Sequence, residues 1–402
     1  MDPSPSASQG LAMTIRVPRL HCPLPPAIGE RAEELDAHAG RWMADNHLYA
    51  SAEKLVQYQA SAFGTFAALT CPHPGIGVES MKLYTEWLAF GFFYDDQFMD
   101  ESATANEPAT VAQAVIAMIS AHAPAGGTGA APAFTDAGDR HRLALMRSLL
   151  ARTRAIARPE QFDRLRTHLM LWWYSYLYEP LVRASDRPIS LAGFCANRVY
   201  NIASLPYVTL AQIVAGCTAT ADELAHPDAV RMGHLAAYQM AWCNDIHSAA
   251  RESEVNALIT HLPGLLTAHG LTPETAMAEA ARIHDTTMHA YLDAQAAVLA
   301  AGNPGLNSYA RVLRAWVRGH YDWCRTTHRY NAPTALPDSP DPLSDPPQRR
   351  QHITHRFAPP SRLTLRHGPH EVRQTPLIAG TYSQDREHEP ILFGAQIEVL
   401  RL

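Results

Sequence analysis

Between about residues 16 and 330, apolar residues recur at three- and four-residue spacing, while alternating strand-like runs between turns are scarce. A period near 3.6 gathers such residues on one stripe of an α-helix, so the spacing predicts an all-α body. The predicted helical segments are about 55 to 70, 78 to 100, 140 to 155, 159 to 183, 190 to 217, 227 to 256, 274 to 300 and 306 to 328. The stretch AHAPAGGTGAAPAF, residues 121–134, reads as a loop between helices, and no internal repeat is evident. Residues 1–15 are rich in Ser and Pro, and 331–402 are dense in proline, histidine and mixed charge. Both ends are expected to be poorly ordered tails around one helical domain spanning 16–330.

Composition narrows the function. With 47% hydrophobic residues in 402, the chain can bury a large core. Its formal charge of -6 gives no reason to expect nucleic acid and leaves no polybasic arm for a membrane, so an anionic ligand must be met by local arginines. The six cysteines, Cys22, Cys71, Cys195, Cys217, Cys243 and Cys324, have no CxxC or other zinc-like spacing and read as reduced core thiols. The start, MDPSPS, lacks the basic and apolar regions of a signal peptide, and no apolar run is long enough to span a bilayer. A cytoplasmic protein is expected.

Two acidic stretches carry the chemistry. In FFYDDQFMDE, residues 92–101, Asp96 and Asp100 are helical i, i+4 neighbours, whereas Asp95 points about 100° away from Asp96. Asp95 instead shares its face with Phe92 and Leu88, which puts a carboxylate at the rim of an apolar cavity. In NDIHSAARE, residues 244–252, Asn244, Ser248 and Glu252 stand at i, i+4 and i+8, drifting only about 40° per step. An amide oxygen, a hydroxyl and a carboxylate on one face suit Mg²⁺, which prefers oxygen donors and is usually completed by water and substrate phosphates. The bland reading is a pair of solvated acidic faces. A DDxxxD pattern alone is short enough to recur by chance; the second pattern, fixing Asn244, Asp245, Ser248, Arg251 and Glu252, is much harder to obtain that way.

With these motifs the sequence resembles the bacterial class I terpene synthases, over about residues 20 to 330. Arg198 lies 46 residues before Asn244, the spacing of that family's diphosphate-sensing arginine, and WVRGHYDWCRTTHRY resembles its closing helix, with Trp316, Gly319, Trp323 and a terminal Arg329-Tyr330 pair. The resemblance implies a single-domain helical bundle with a central active-site cavity and three Mg²⁺ ions. It implies that Asp95 bridges two of them, that Asp96 and Asp100 support the metal site or pair with arginines, and that Asn244, Ser248 and Glu252 hold the third. Arg198, Arg251, Arg329 and Tyr330 would grip the diphosphate, and Ile202, four residues after Arg198, would aim its carbonyl at the substrate. Pro206, read as lying inside a continuous helix, would leave that carbonyl without its usual donor. One departure is Asn201, where the family has an aspartate; a neutral amide cannot tie Arg198 by charge. Phe92 and Trp316 are expected in the cavity wall, with Phe66 and Trp87 as further candidates, although ordinary core packing is the commoner role for any one aromatic.

The expected activity is Mg²⁺-dependent ionisation of an acyclic prenyl diphosphate, farnesyl diphosphate first, and cyclisation of the cation to a sesquiterpene. Geranylgeranyl diphosphate is the alternative substrate, because the metal site sees only the diphosphate. A prenyl diphosphate synthase would want a second aspartate-rich motif in place of NDIHSAARE, and a noncatalytic helical protein would use its acidic faces only structurally. The resemblance also allows a homodimer.

Overall fold

The computed structural model describes residues 16–97, 107–122, 137–184, 189–255 and 261–331. Asp100, most of the expected 121–134 loop and the two expected tails (1–15, and 331–402 apart from Asn331) lie outside them. The described residues form fifteen α-helices and no β-strand. In chain order these are α1 (Ala32–Asp45), α2 (Ala52–Ala60), α3 (Phe63–Thr70), α4 (Val78–Asp95), α5 (Pro108–Ser120), α6 (Ala137–Ile156), α7 (Pro159–Ser175) and α8 (Tyr178–Arg183). They continue as α9 (Leu191–Asn201), α10 (Ser204–Val214), α11 (Ala221–Leu224), α12 (Pro227–Val255), α13 (Leu262–Ala268), α14 (Pro273–Ala300) and α15 (Pro304–Thr326). None of them is long and apolar enough to cross a membrane.

Helix starts follow from local chemistry. Pro159, Pro273 and Pro304 occupy first positions, where a missing N–H costs nothing. Asn303 accepts from Leu306 N at 2.9 Å and Ser190 from Gly193 N at 3.0 Å, each satisfying an amide that the helix itself leaves unpaired. The long α12 packs against α14 and α15, and α3 lies against both α1 and α15. Gly319 makes the last contact tight: a Cβ there would stand 2.3 Å from the Leu69 carbonyl oxygen, so α15 can lie on the α3 backbone only with glycine at that place.

Three predicted segments prove to be pairs. The 55–70 segment breaks at Ala62 (φ 56°) and the 190–217 segment at Ala203 (φ 61°), while 159–183 breaks at Tyr176–Leu177. Apolar periodicity runs through all three junctions because both halves bury the same side. A left-handed alanine costs about 1 kcal/mol, which nothing in the residue type announces. The break at Ala203 also corrects the expectation for Pro206, which is the third residue of α10 rather than the interior of a continuous helix. An amide in the first turn has no helical acceptor, so this proline removes no hydrogen bond. It is the Ala203 turn that interrupts the ladder, and among the described residues the Ile202 carbonyl accepts no backbone hydrogen bond. Helices α1, α5, α11 and α13 were not expected; α1 buries Leu35, Ala39, Gly40 and Met43, a stripe too small-sided to stand out.

Candidate active site

A cavity of about 770 Å³, its mouth included, opens among α4, α7, α9, α10, α12 and α15. Its apolar wall includes Phe66, Phe92, Trp172, Tyr207 and Trp316, and its polar residues include Asp95, Arg198, Asn244, Glu252, Arg329 and Tyr330. The expected Leu88–Phe92–Asp95 face of α4 therefore does face the cavity. Trp87 does not: it is fully buried and donates from Nε1 to Thr153 Oγ1 at 2.9 Å, packing toward α6. It lies one residue from the cavity-facing Leu88, and a step of 100° takes its indole to the other side of the helix.

The same rotation separates Asp95 from Asp96. Asp95 lines the cavity and accepts from Tyr176 Oη at 3.0 Å. Asp96 is buried, and its oxygens are taken by arginines: Arg329 as a two-pronged fork at 2.5 and 3.0 Å, and Arg251 at 2.6 Å. Burial alone would raise the Asp96 pKa; the two guanidiniums outweigh it and hold the carboxyl well below the usual range. Asp96, expected among the metal ligands, is thus committed in this structure to two of the arginines expected on the diphosphate. Arg329 in turn lies 4.8 Å over the Phe92 ring, joining the polar mouth to the aromatic wall.

On α12 the pair Asn244–Asp245 divides in the same way. Asn244 faces the cavity, its Oδ1 accepting from Arg198 at 3.0 Å and its Nδ2 donating to Tyr330 Oη at 2.8 Å. Asp245 is fully buried and holds Arg198 through Nε at 2.9 Å and NH2 at 2.5 Å, while its other oxygen accepts from Leu262 N at 2.8 Å. Asn201 takes the remaining arm of Arg198 at 2.5 Å. Burial works against the Arg198 charge, but Asp245, with Glu252 and Glu179 behind it, lifts its pKa above the ordinary value. The charge expected from the Asn201 position is therefore supplied by Asp245, a residue the motif pattern contained but to which no role was given.

One turn on, Ser248 is 1% exposed and lies behind the residues that line the cavity; its hydroxyl has no hydrogen-bond partner among the described residues, an arrangement that costs about 1–3 kcal/mol unless a ligand answers it. Glu252 follows at the cavity edge. Asn244 Oδ1 keeps a second lone pair beside its bond to Arg198. An all-oxygen set of this kind, faced across the cavity by Asp95, fits Mg²⁺ and does not suit a thiophilic ion. Ile202 and Ala203 line the cavity beside Arg198. Glu179, Tyr176 and Trp172 were missed; the aromatic run LWWYSYLYEP, residues 171–180, was the available signal, but its alternation across the α7–α8 break hid which rings turn inward.

A family model described as terpene synthase family 2, C-terminal metal binding, matches residues 86–290, just over half of the chain. Among curated proteins, the 4-epi-cubebol synthase of Streptosporangium roseum, described as (2E,6E)-farnesyl diphosphate cyclizing, is 24% identical over 320 residues, covering 79% of this chain and 92% of that protein. A diterpene cyclase of a Streptomyces species is 22% identical over 393 residues, 94% of each. Among solved structures, that of 2-methylisoborneol synthase from Streptomyces coelicolor, in complex with Mg²⁺ and 2-fluoroneryl diphosphate, superposes with a TM-score of 0.68 at 24% identity, covering 79% of this chain and 97% of that one; the likeness is one of fold.

Proposed function

Since the chain belongs to terpene synthase family 2, and is accordingly a class I terpene cyclase acting on a prenyl diphosphate, we propose that it converts farnesyl diphosphate to a cyclic sesquiterpene with three Mg²⁺ ions. The observation that carries this reading is the polarity of one cavity. Its lining combines oxygen donors and arginines, among them Asp95, Asn244, Glu252, Arg198, Arg251 and Arg329, with the aromatic rings of Phe66, Phe92 and Trp316. Ser248, whose hydroxyl has no partner among the described residues, stands on the helix face of Asn244 and Glu252.

Asp95 on one side and Asn244, Ser248 and Glu252 on the other would hold the ions, which as Lewis acids stabilise the charge that develops on departing diphosphate. Arg198, Arg251, Arg329 and Tyr330 bind the diphosphate oxygens. The guanidinium forks suit that geometry, and burial keeps the Tyr330 phenol protonated and able to donate. Arg251 and Arg329 reach the diphosphate by sharing or leaving Asp96. The C–O bond breaks with both electrons going to diphosphate, and the allylic cation left behind is faced by Phe66, Phe92 and Trp316. Aromatic faces attract positive charge without attacking it, and the closed wall excludes water. Ile202 offers a carbonyl oxygen beside Arg198, set by the Ala203 turn.

Farnesyl diphosphate is favoured because a relative matching 79% of this chain is described as cyclizing it; the diterpene cyclase match keeps geranylgeranyl diphosphate as the second reading. Incubation with geranyl, farnesyl and geranylgeranyl diphosphates, with and without Mg²⁺, distinguishes them through diphosphate release and mass spectrometry of extracted volatiles. A cyclic fifteen-carbon hydrocarbon or alcohol, abolished by chelator, is expected. A twenty-carbon product alone would replace the substrate, and no release from any of the three would overturn the reading.

A further inference from the structure

Behind the aromatic wall, three side chains from two helices meet, and no sequence spacing connects the one on the first helix to the two on the second. Cys243 on α12 and His320 and Cys324 on α15 bring one ligand atom each to within 4.8 Å of one another, and all three are buried. We propose that they form a binding site for one soft divalent cation of the Zn²⁺ or Cd²⁺ class, separate from the Mg²⁺ ligands.

The geometry fits such an ion with small movements. A tetrahedral centre with bonds of about 2.3 Å to sulfur and about 2.0 Å to nitrogen sets ligand atoms roughly 3.6 to 3.8 Å apart. Cys324 Sγ and His320 Nε2 already stand at 3.6 Å, because i, i+4 spacing puts both on one face of α15. Closing the widest separation to the same value asks for about 1 Å, within the reach of a cysteine or histidine rotamer change. On α12 the arrangement repeats: His247, one turn beyond Cys243, has Nδ1 3.7 Å from the Cys243 sulfur. Three protein ligands would leave the fourth position to water, as in open zinc sites.

The chemistry balances inside a core. Two thiols give up two protons to solvent as the ion binds, and the resulting dithiolate with a neutral imidazole cancels the double positive charge. In the absence of an ion, burial pushes the Cys243 thiol up to about 12. A route in exists, since His320 also lines the cavity, stacked 5.8 Å from Trp316. Donor softness keeps the two sites apart. Sulfur and imidazole reject Mg²⁺, while the oxygen ladder from Asn244 favours it. The ordinary alternative is a packed interior with local i, i+4 contacts, His247 Nδ1 donating to the Cys243 carbonyl oxygen at 2.8 Å and the Cys324 thiol beside His320, which would take up no ion.

An occupied cluster would tie α12, one residue from Asn244, to α15, five residues from Arg329. Slower turnover is the expected consequence, and this part alone rests on the proposed function.

The test uses the full chain in excess Mg²⁺ with a thiol-free reductant, titrated with Cd²⁺ while sulfur-to-cadmium charge-transfer absorbance is followed, and with Zn²⁺ by equilibrium dialysis. One ion per chain is expected, with affinity lowered by about a hundredfold or more in Cys324→Ser and in Cys243→Ser. Cys71→Ser, a buried thiol outside the cluster, should bind as the parent does. Absence of stoichiometric uptake, or uptake that both cluster variants retain, would overturn the site. Should one serine variant fail to fold by circular dichroism, the other, on the opposite helix, decides. Cd²⁺ uptake by a protein inactive on every prenyl diphosphate would support the site while removing the functional reading.

Discussion

Asp95–Asp96 on α4 and Asn244–Asp245 on α12 are adjacent pairs that split in the same way and serve different ends. In each, the first residue faces the cavity and the second turns about 100° away to hold arginine. The α12 pair lies within a 29-residue helix, and Asp245 holds one arginine together with a backbone amide of α13. The α4 pair lies at a helix end, and Asp96 holds two arginines, one of them on the turn beyond α15. A fully buried tie inside a helix bundle fixes the position of Arg198. The tie between a helix end and a chain turn is as buried at Arg329 (5% exposed) and more open at Arg251 (18%), and under the proposed function it holds both where a diphosphate would compete for them. The lesson is that neighbouring residues in one motif can divide into a cavity-facing side chain and an arginine anchor, and that the elements an anchor joins differ between the two motifs.

The most damaging change to this contrast is Asp245→Asn. It keeps the shape and removes the charge from a pair that is 0% and 8% exposed at its two side chains. Breaking a buried ion pair costs about 3–5 kcal/mol. Glu252 and Glu179 still attract Arg198, so the lower end of about 3 kcal/mol is expected, measured by denaturant unfolding. A loss under about 1 kcal/mol would mean that Asp245 does not anchor Arg198.

Asp96→Asn should cost no more in stability than Asp245→Asn and more in function. Arg251 is 18% exposed and can take water, but Arg329, at 5%, is as buried as Arg198, so a loss of about 2–3 kcal/mol, between the values for a charged hydrogen bond and a buried pair, is expected. Diphosphate release should fall while Mg²⁺-independent folding persists. Unchanged turnover would detach Asp96 from the role proposed for Arg251 and Arg329 on the diphosphate.

Acid separates the two carboxylates further. Asp96 has a folded pKa held below its unfolded value, so its contribution to stability is complete above the unfolded pKa of about 4 and is lost as pH falls toward the folded value. Wild type should therefore lose stability on acidification below about pH 4 by more than Asp96→Asn does. Parallel acid curves for the two proteins would refute the assignment.

How much of this was legible beforehand follows the same division. The cavity face of α4 and the shared face of Asn244, Ser248 and Glu252 on α12 could be read because helical phase fixes them from spacing, whereas Arg329 and Tyr330, on the turn beyond α15, were singled out only by the family resemblance. Asp96 and Asp245 were in plain view, but their arginines come from residues 155 and 47 positions away, and only tertiary packing pairs them. Trp87 shows the converse error: its type suited the wall, and its phase put it in the core. The breaks at Ala62 and Ala203 left no mark because left-handed alanines are imposed by their surroundings. Cys243, His320 and Cys324 join helices distant in the chain, so the absence of a zinc-like spacing said nothing about them.

Asn201→Asp is the smallest expected effect and the finest probe. It would place an acid where the resembling family has one, on the guanidinium arm that Asn201 now accepts at 2.5 Å. If Asp245 already supplies the charge that ties Arg198, a second carboxylate adds little attraction. It also brings repulsion from Asp245, Glu252 and Glu179 in a site where Asn201 is 7% exposed. A hydrogen bond strengthened by charge and a desolvated like-charge contact then nearly cancel, leaving a destabilisation of about 1 kcal/mol or less at neutral pH. The introduced carboxyl should have a raised pKa, because burial and its acidic neighbours both favour the neutral form. Its cost is therefore present above that raised pKa and disappears as pH falls through it, the reverse of the Asp96 dependence. A clear gain in stability at neutral pH would show Arg198 under-neutralised in the parent, and the division between anchor and ligand on α12 would have to be redrawn.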